Sequence, residues 1–426
     1  MVSRALWKRV PIRETYLGLF DGPHATPKPS DVGPVFLGIG NLTDDGHLDL
    51  GTVRHIAEED FTRWTKRVEP KQGDIVFTYE ATLNRYAVIP AGFRGCLGRR
   101  LALIRPNPAI VDTHFLHYYF FSADWRSIVA SNILSGATVE RIPLTTFPEF
   151  PVSLPPLDEQ RRIASILSAY DELIENNTRR IAVLEEMARR IYEEWFVRFR
   201  FPGHERVRMV ESELGPVPEE WETVRMEDVC TRITDGSHYS PKSVESGKPM
   251  ASVKDMHDWG INLGTCRRIA EDEYEELVRN DCKPRLNDVL IAKDGSYLKH
   301  TFVVDHEHDM VILSSIAILR PNGRMLPNQL AMYLRLPDVA SRMKGYVSGV
   351  AIPRIVLRDF RQFLVLLPPA EVQHSWAKLC DPMLRLCKNL VRENENLRTT
   401  RDLLLPKLIS GELDVSALPK PEAVAA

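Results

Sequence analysis

Two short stretches hold the side chains with which proteins grip nucleic acids. Thr78-Tyr79-Glu80-Ala81-Thr82-Leu83-Asn84-Arg85 and Ala292-Lys293-Asp294-Gly295-Ser296-Tyr297-Leu298-Lys299 each lie between two β-rich runs. The first presents Tyr79, Glu80, Thr82, Asn84 and Arg85, the second Lys293, Asp294, Ser296, Tyr297 and Lys299. Asn, Arg and carboxylates reach base edges, while Lys, Ser and Tyr also reach phosphates. A solvated hairpin turn is the competing reading for any one of them. Two further pairs of segments add candidates. Asp21-Gly22-Pro23-His24-Ala25-Thr26-Pro27-Lys28 and Asp235-Gly236-Ser237-His238-Tyr239-Ser240-Pro241-Lys242 share a D-G-x-H-x-x-P-K pattern, in which Lys28 and Lys242 follow a turn and can pair with phosphate. His24 and His238 read as turn formers. Ser135-Gly136-Ala137-Thr138 and Ser348-Gly349-Val350-Ala351 could bring backbone amides to phosphate, with Ser135, Thr138 and Ser348 as candidates against a tight-turn role.

Catalytic signatures are missing from the sequence. There is no Walker A loop, no H-E-x-x-H and no clustered nuclease carboxylates. Phe36-Leu37-Gly38-Ile39-Gly40 resembles the S-adenosylmethionine loop of amino-methyltransferases. A lone glycine pair is weak, however, and no Asp/Asn-Pro-Pro-Phe/Tyr tetrapeptide is present to hold a flipped adenine. The six cysteines show no metal-ligand spacing and read as buried thiols. No metal and no cofactor is expected in this chain. With 426 residues, 27% of them charged, and a net charge of −3, it suits two or more soluble domains and is not a uniformly basic binder. Neither a signal peptide nor an apolar span of membrane length is visible, so the cytoplasm is the expected location.

Positioning such loops falls to two long helices. After Leu154-Pro155-Pro156, where consecutive prolines end the preceding element, a helix is expected from about Asp158 to Phe199. Its apolar residues fall in heptads: Ile163, Tyr170, Asn177, Leu184 and Ile191 in one position; Ile166, Leu173 and Met187 in a second; Leu167, Ile174, Ile181, Ala188 and Trp195 in a third. A stripe this wide expects more than one neighbour. Asn177 at a core position can fix register, and Trp195 near the helix end is a candidate partner contact. At about 1.5 Å per residue the helix spans roughly 60 Å.

The pattern then recurs. Leu367-Pro368-Pro369-Ala370-Glu371-Val372-Gln373 repeats Leu154 to Gln160, the glutamines being 373 − 160 = 213 positions apart. Leu379, Met383, Leu386, Leu390 and Leu397 supply the second apolar stripe, with Pro382 expected to confine regular helix to the residues after Asp381. Asp74 matches Asp288, and Ala102 to Asn107 matches Ala317 to Asn322, at closely similar offsets. The gene is thus a tandem duplication of a domain followed by a helix. The expected fold is α+β: two mixed α/β domains, 1–155 and 221–368, long helices 156–200 and 369–412, a linker 201–220 and a tail 413–426. Helices are expected at Ala57 to Trp64, Thr113 to Ser131, Glu271 to Asn280 and Pro327 to Lys344, and strands include Ile312 to Ile318. Two like domains on paired rods form a pseudo-two-fold frame suited to half-sites about one duplex turn, roughly 34 Å, apart.

At LPPLDEQRRIASIL, ELGPVPEEW and RDLLLPKLISGELDV the chain resembles the specificity subunits of type I restriction-modification systems, over its whole length. The resemblance implies two target-recognition domains, each reading one half of a bipartite, asymmetric site in double-stranded DNA. It implies spacer helices 156–200 and 369–412 that pair antiparallel as a coiled coil and dock two methyltransferase subunits, with restriction and translocase subunits completing the complex. Catalysis and S-adenosylmethionine would then belong to the partner. Two other readings are a self-contained adenine methyltransferase built on Phe36 to Gly40 and a coiled-coil adaptor without a DNA role.

Overall fold

The computed structural model describes residues 7–134, 139–295, 298–349 and 353–418. The chain divides into two compact units, Met1–Asn176 with Asn394–Ala426, and Asn177–Glu393. Both are mixed α/β, and both use one strand plan.

In the first unit a four-stranded antiparallel sheet runs in the order Tyr16–Asp21, Leu101–Pro106, Ile75–Thr78, Tyr86–Val88. In the second the order is Cys230–Asp235, Ile316–Pro321, Val289–Ala292, Thr301–Val303. Central strands such as Ile75–Thr78 and Val289–Ala292 are buried along their whole length, which explains why they read as continuous apolar runs without alternation. A three-stranded sheet packs beside each: Arg54–His55, Ser30–Leu37, Gly95–Leu97 in one unit, Arg267–Ile269, Lys248–Ala251, Val311–Ile312 in the other. In both, the last-named strand pairs in parallel with the middle one. A two-strand ladder closes each unit, Lys8–Pro11 with Pro151–Leu154 and Glu222–Arg225 with Leu364–Leu367. Asp74 and Asp288, both buried, take a two-pronged bond from Arg105 and Arg320 at 2.8–2.9 Å, so a charge in the core is paired in either copy.

Several elements differ from the sequence expectation for local reasons. The Thr113–Ser131 helix is two, Thr113–Tyr119 and Ala123–Ser131, because the Ser122 hydroxyl accepts from the Trp125 amide and starts a new helix. Pro337 similarly divides Pro327–Leu334 from Pro337–Arg342. Ala57 to Trp64 holds only a 3-10 turn and one α turn. The Ile312–Ile318 run is interrupted at Leu313–Ser315, where the chain leaves the three-stranded sheet and enters the four-stranded one. Phe201 to Trp221 is built rather than slack: Met209–Ser212 pairs with Gly215–Pro218, and Phe201, Val217 and Trp221 are buried.

The first long helix covers Leu157–Tyr192 and continues as a π turn through Val197. The second covers Ala370–Ile409 and passes straight through Pro382, contrary to expectation. Pro382 is exposed, so the carbonyl four residues earlier, which loses its amide partner, is left on the solvent side. Within the first unit Arg401 reaches Asp171 at 2.5 Å and the Asn394 side chain reaches the Ile174 carbonyl at 3.3 Å. Within the second, Cys387 lies against the Ile181 carbonyl and Trp376 meets Tyr192 edge-on, ring centres 5.6 Å apart. In each unit the partner number falls as the first helix number rises, so the two segments run antiparallel.

Candidate nucleic-acid interface

Strand register decides which loops meet. Asp21 pairs with Ala102 and Thr78 with Leu101, which brings the 21–28 segment, the 79–85 loop and the Gly98–Arg100 turn to one end of the first four-stranded sheet. Backbone bonds hold them there: Tyr79 N to Arg100 O at 3.3 Å, Ile142 N to Tyr79 O at 2.8 Å, Ala81 N to Glu140 O at 2.9 Å. The second unit repeats the scheme at the equivalent positions. Lys293 N meets Ser315 O at 2.9 Å, Ile355 N meets Lys293 O at 3.0 Å, and Gly295 N meets Pro353 O at 2.8 Å. Both loops also turn twice through the left-handed region, at Ala81 (φ 73°) and Asn84 (φ 62°), and at Gly295 (φ 74°) and Leu298 (φ 58°). Such conformations are disfavoured for Ala and Leu, so the surrounding bonds must impose the loop shape. One pole of each sheet is therefore a cross-braced loop cluster.

The carboxylate of D-G-x-H organises each pole. Asp21 takes His24 Nε2 at 3.0 Å and Arg67 Nη1 at 2.5 Å; Asp235 takes His238 Nε2 at 3.2 Å and Lys293 Nζ at 2.5 Å. His24 and His238 are turn residues, as read from the sequence. Lys293 is not a phosphate contact: it is buried, with its ammonium locked on Asp235. Tyr79, at the same repeat position, is also buried, its hydroxyl donating to the Arg99 carbonyl at 2.9 Å and its phenol pKa raised chiefly by burial. The backbone here is still bonded to neighbours on both sides, so this position belongs to the sheet rather than to the loop, and its side chain turns inward.

The remaining loop candidates are more open. Thr82 is half-buried, while Lys28, Lys242, Lys299 and Ser348 are exposed. Asn84 accepts a long bond from Tyr86, 3.4 Å. Arg85 is drawn back onto Asp44 at 2.7 Å. Glu80 faces Arg100 at 3.3 Å, and Asp294 faces Arg354 at 3.1 Å. Ser135, Thr138, Ser296 and Tyr297 lie outside the described residues. Arg99, Arg100, Arg141 and Arg354 were missed in the sequence, although all stand at these poles. Two signals were available: adjacent arginines in a turn between β-runs, and the 213-residue coincidence of Arg141 with Arg354 after the Ser-Gly segments.

The LPP motifs fasten each pole's domain to its helix. Gln160 is buried; its amide donates to the Pro155 and Ile110 carbonyls at 2.9 and 3.2 Å, and its oxygen accepts from Asp112 N at 2.9 Å. Gln373 does the same with Pro368 O, Arg324 O and Leu326 N at 2.8, 2.8 and 3.1 Å. The motif is a structural latch.

Of the helix candidates, Ile163, Asn177 and Leu390 are buried, and Ile166, Tyr170, Leu184, Ile191, Met383 and Leu397 are half-buried. Leu173, Leu379 and Leu386 are instead 47%, 45% and 37% exposed, which excludes them from the seam within either unit. The seam takes the third heptad position, with Leu167, Ile174 and Ala188 buried. Trp195, offered as a partner contact, packs against the second unit's core beside Phe196 and Trp221. Val183 and Met187 are exposed apolar residues on the first helix.

The Phe36–Gly40 loop has a structural explanation. Phe36 stacks edge-on against Trp64, and the Gly38 amide is tied to the Asn41 side chain at 2.9 Å in a 3-10 turn. The cleft of about 390 Å³ in the first unit is lined by Gln72–Gly73, Val88–Ala91 and His114 and includes none of these five residues. Among the described residues no group of three His, Cys, Asp or Glu side chains could hold a metal, and no helix is long and apolar enough to cross a membrane.

Comparison with known proteins gives a consistent result. Residues 33–186 match the family described as type I restriction modification DNA specificity domain. The type I restriction enzyme MjaIX specificity subunit of Methanocaldococcus jannaschii is 26% identical over 372 residues, 86% of this chain and 83% of that protein. The EcoBI specificity subunit of Escherichia coli is 22% identical over 312 residues, 70% of this chain and 65% of that protein. A crystal structure of a type I restriction-modification system S subunit from M. genitalium has the same fold, with a TM-score of 0.59 over 96% of this chain and 97% of that one, at 15% identity. The chain is similar to type I specificity subunits in sequence over most of its length, as its motifs suggested.

Proposed function

We propose that this chain is the DNA sequence-specificity subunit of a type I restriction-modification complex. It is a recognition subunit and not itself an enzyme. Each sheet pole meets one half of a bipartite site, and the two halves differ because the poles carry different side chains on one backbone plan. The observation that carries this reading is the duplicated loop cluster, whose bracing repeats bond for bond while its outward residues change. Exposed Arg99 and Arg141 and half-buried Arg100 give the first pole a local positive charge that the chain's net charge of −3 conceals.

The long helices act as spacer rods and as the docking face for two methyltransferase subunits, which hold S-adenosylmethionine and transfer the methyl group. Leu173, Val183, Met187, Leu379 and Leu386 offer apolar contact for them. Restriction and translocase subunits join the same cytoplasmic assembly.

Duplex binding by the chain assembled with its methyltransferase partner tests the reading. Replacing Arg99, Arg100 and Arg141 together with Gln is expected to weaken binding and flatten its dependence on salt, by close to one unit of slope per lost phosphate contact. Binding and slope unchanged from wild type would remove the pole from the interface.

A further inference from the structure

Each pole presents one carboxylate at the same repeat position, Glu80 in the first and Asp294 in the second, and each carboxylate faces an arginine. The arginines come from different places. Arg100 is delivered by the turn between Gly95–Leu97 and Leu101–Pro106, whereas Arg354 opens the short strand Arg354–Ile355. The position equivalent to Arg100 is Ser315, whose hydroxyl accepts from the Val253 amide at 3.1 Å, so no cation can arrive from that turn in the second copy. Arg354 donates from Nε to the Asp294 carboxylate at 3.1 Å, whereas Arg100 Nε stands 3.3 Å from Glu80 as an ion pair without a hydrogen bond.

That choice of nitrogen matters. A carboxylate hydrogen-bonded at Nε, as Asp294 is to Arg354, fixes the guanidinium plane and leaves the two terminal nitrogens pointing away as a fork, while Glu80 holds Arg100 by charge alone. Such a fork matches the O6 and N7 acceptors of guanine in the major groove. Arg85, by contrast, uses Nε on Asp44 and also directs a terminal nitrogen at the Ile39 carbonyl, so its fork is partly spent. Among the described residues neither Arg100 nor Arg354 donates a hydrogen bond from a terminal nitrogen, Arg100 Nε is also without one, and the side chains are 29% and 54% exposed.

We propose that Arg100 and Arg354 each read a guanine, one per half-site, and that Glu80 and Asp294 are positioning residues that aim them. The inference rests on the specificity-subunit reading and adds to it a base and a residue for each half. Because the same carboxylate position is served from two different loops, the guanine is displaced relative to the pole between the halves, which makes the bipartite site asymmetric.

The test is the pattern of adenine methylation laid down by the full complex, chain plus methyltransferase partner, in a host lacking other methylation. R100Q is expected to relax one guanine position in one half-site by roughly 5- to 150-fold, the span of a single two-pronged contact, while the other half stays intact. R354Q is expected to do the converse. R100K and R354K should not restore the preference, because an ammonium cannot reproduce the fork. An unchanged site in the Gln variants, or a uniform loss of methylation that Lys restores, overturns the inference in favour of phosphate contacts. A wild-type complex that methylates no bipartite sequence overturns the specificity reading itself, and that result is seen before any variant is made.

Discussion

Arg401 and Asp171 meet at 2.5 Å with both side chains less than one-fifth exposed, and Tyr118 donates to the same carboxylate at 2.6 Å. One carboxylate thus ties the domain helix Thr113–Tyr119 to both long helices within the first unit. Removing the arginine would leave Asp171 charged and poorly solvated. R401A is expected to cost about 3 kcal/mol, read as a lower urea midpoint at unchanged slope. A loss under about 0.5 kcal/mol, the size expected of an exposed pair, would show that water screens this contact.

Gln160 and Gln373 make the same three bonds in their own units, so the two substitutions should behave alike. Q160A and Q373A each leave one buried carbonyl, one part-buried carbonyl and one amide short of partners, an expected loss of about 1–3 kcal/mol apiece. If only one of them destabilised the protein, the latch would be real in one copy only.

His117 gives the first unit an acid-sensitive point. It is buried, and burial holds its pKa down at about 4, below the ordinary 6.5; the Tyr86 carbonyl raises it slightly, His114 and His47 lower it and Asp171 opposes them. The folded state therefore binds fewer protons than the unfolded state between these values. Stability from this group is complete above about pH 6.5 and is lost as pH falls toward 4, by up to roughly 3 kcal/mol. Urea midpoints measured at pH 7 and pH 4.5 should differ less in H117Q than in wild type; equal slopes with pH would contradict the assignment.

Val183 and Met187 lie one turn apart on the first long helix, and both are exposed. Replacing both with Asp should leave the melting temperature of the isolated chain within about 2 °C, as for most surface changes. It should weaken association with the methyltransferase subunit at least tenfold by titration if this face is the dock. Full-strength assembly would move the dock elsewhere.

Much of the frame could be read from the sequence, because it depends on periodicity and repetition. Heptads locate both long helices, and equal offsets locate equivalent strands. What escaped depends on contacts remote in sequence. Pro382 looked like the place where regular helix begins because a single residue cannot reveal that its face is solvated. Tyr79 and Lys293 looked like loop residues because a strand's hydrogen-bonded extension beyond its last regular pair leaves no local mark. Arg100 and Arg354 were overlooked since their partners, 20 and 60 residues away, only become partners once the sheets form.

The most direct measurement is a map of methylated adenines in a genome where this chain is expressed with its methyltransferase partner. Two unlike, specified half-sites separated by a fixed run of unspecified bases are the expected result. Methylation at an uninterrupted sequence, or a map identical with and without this chain, would contradict it.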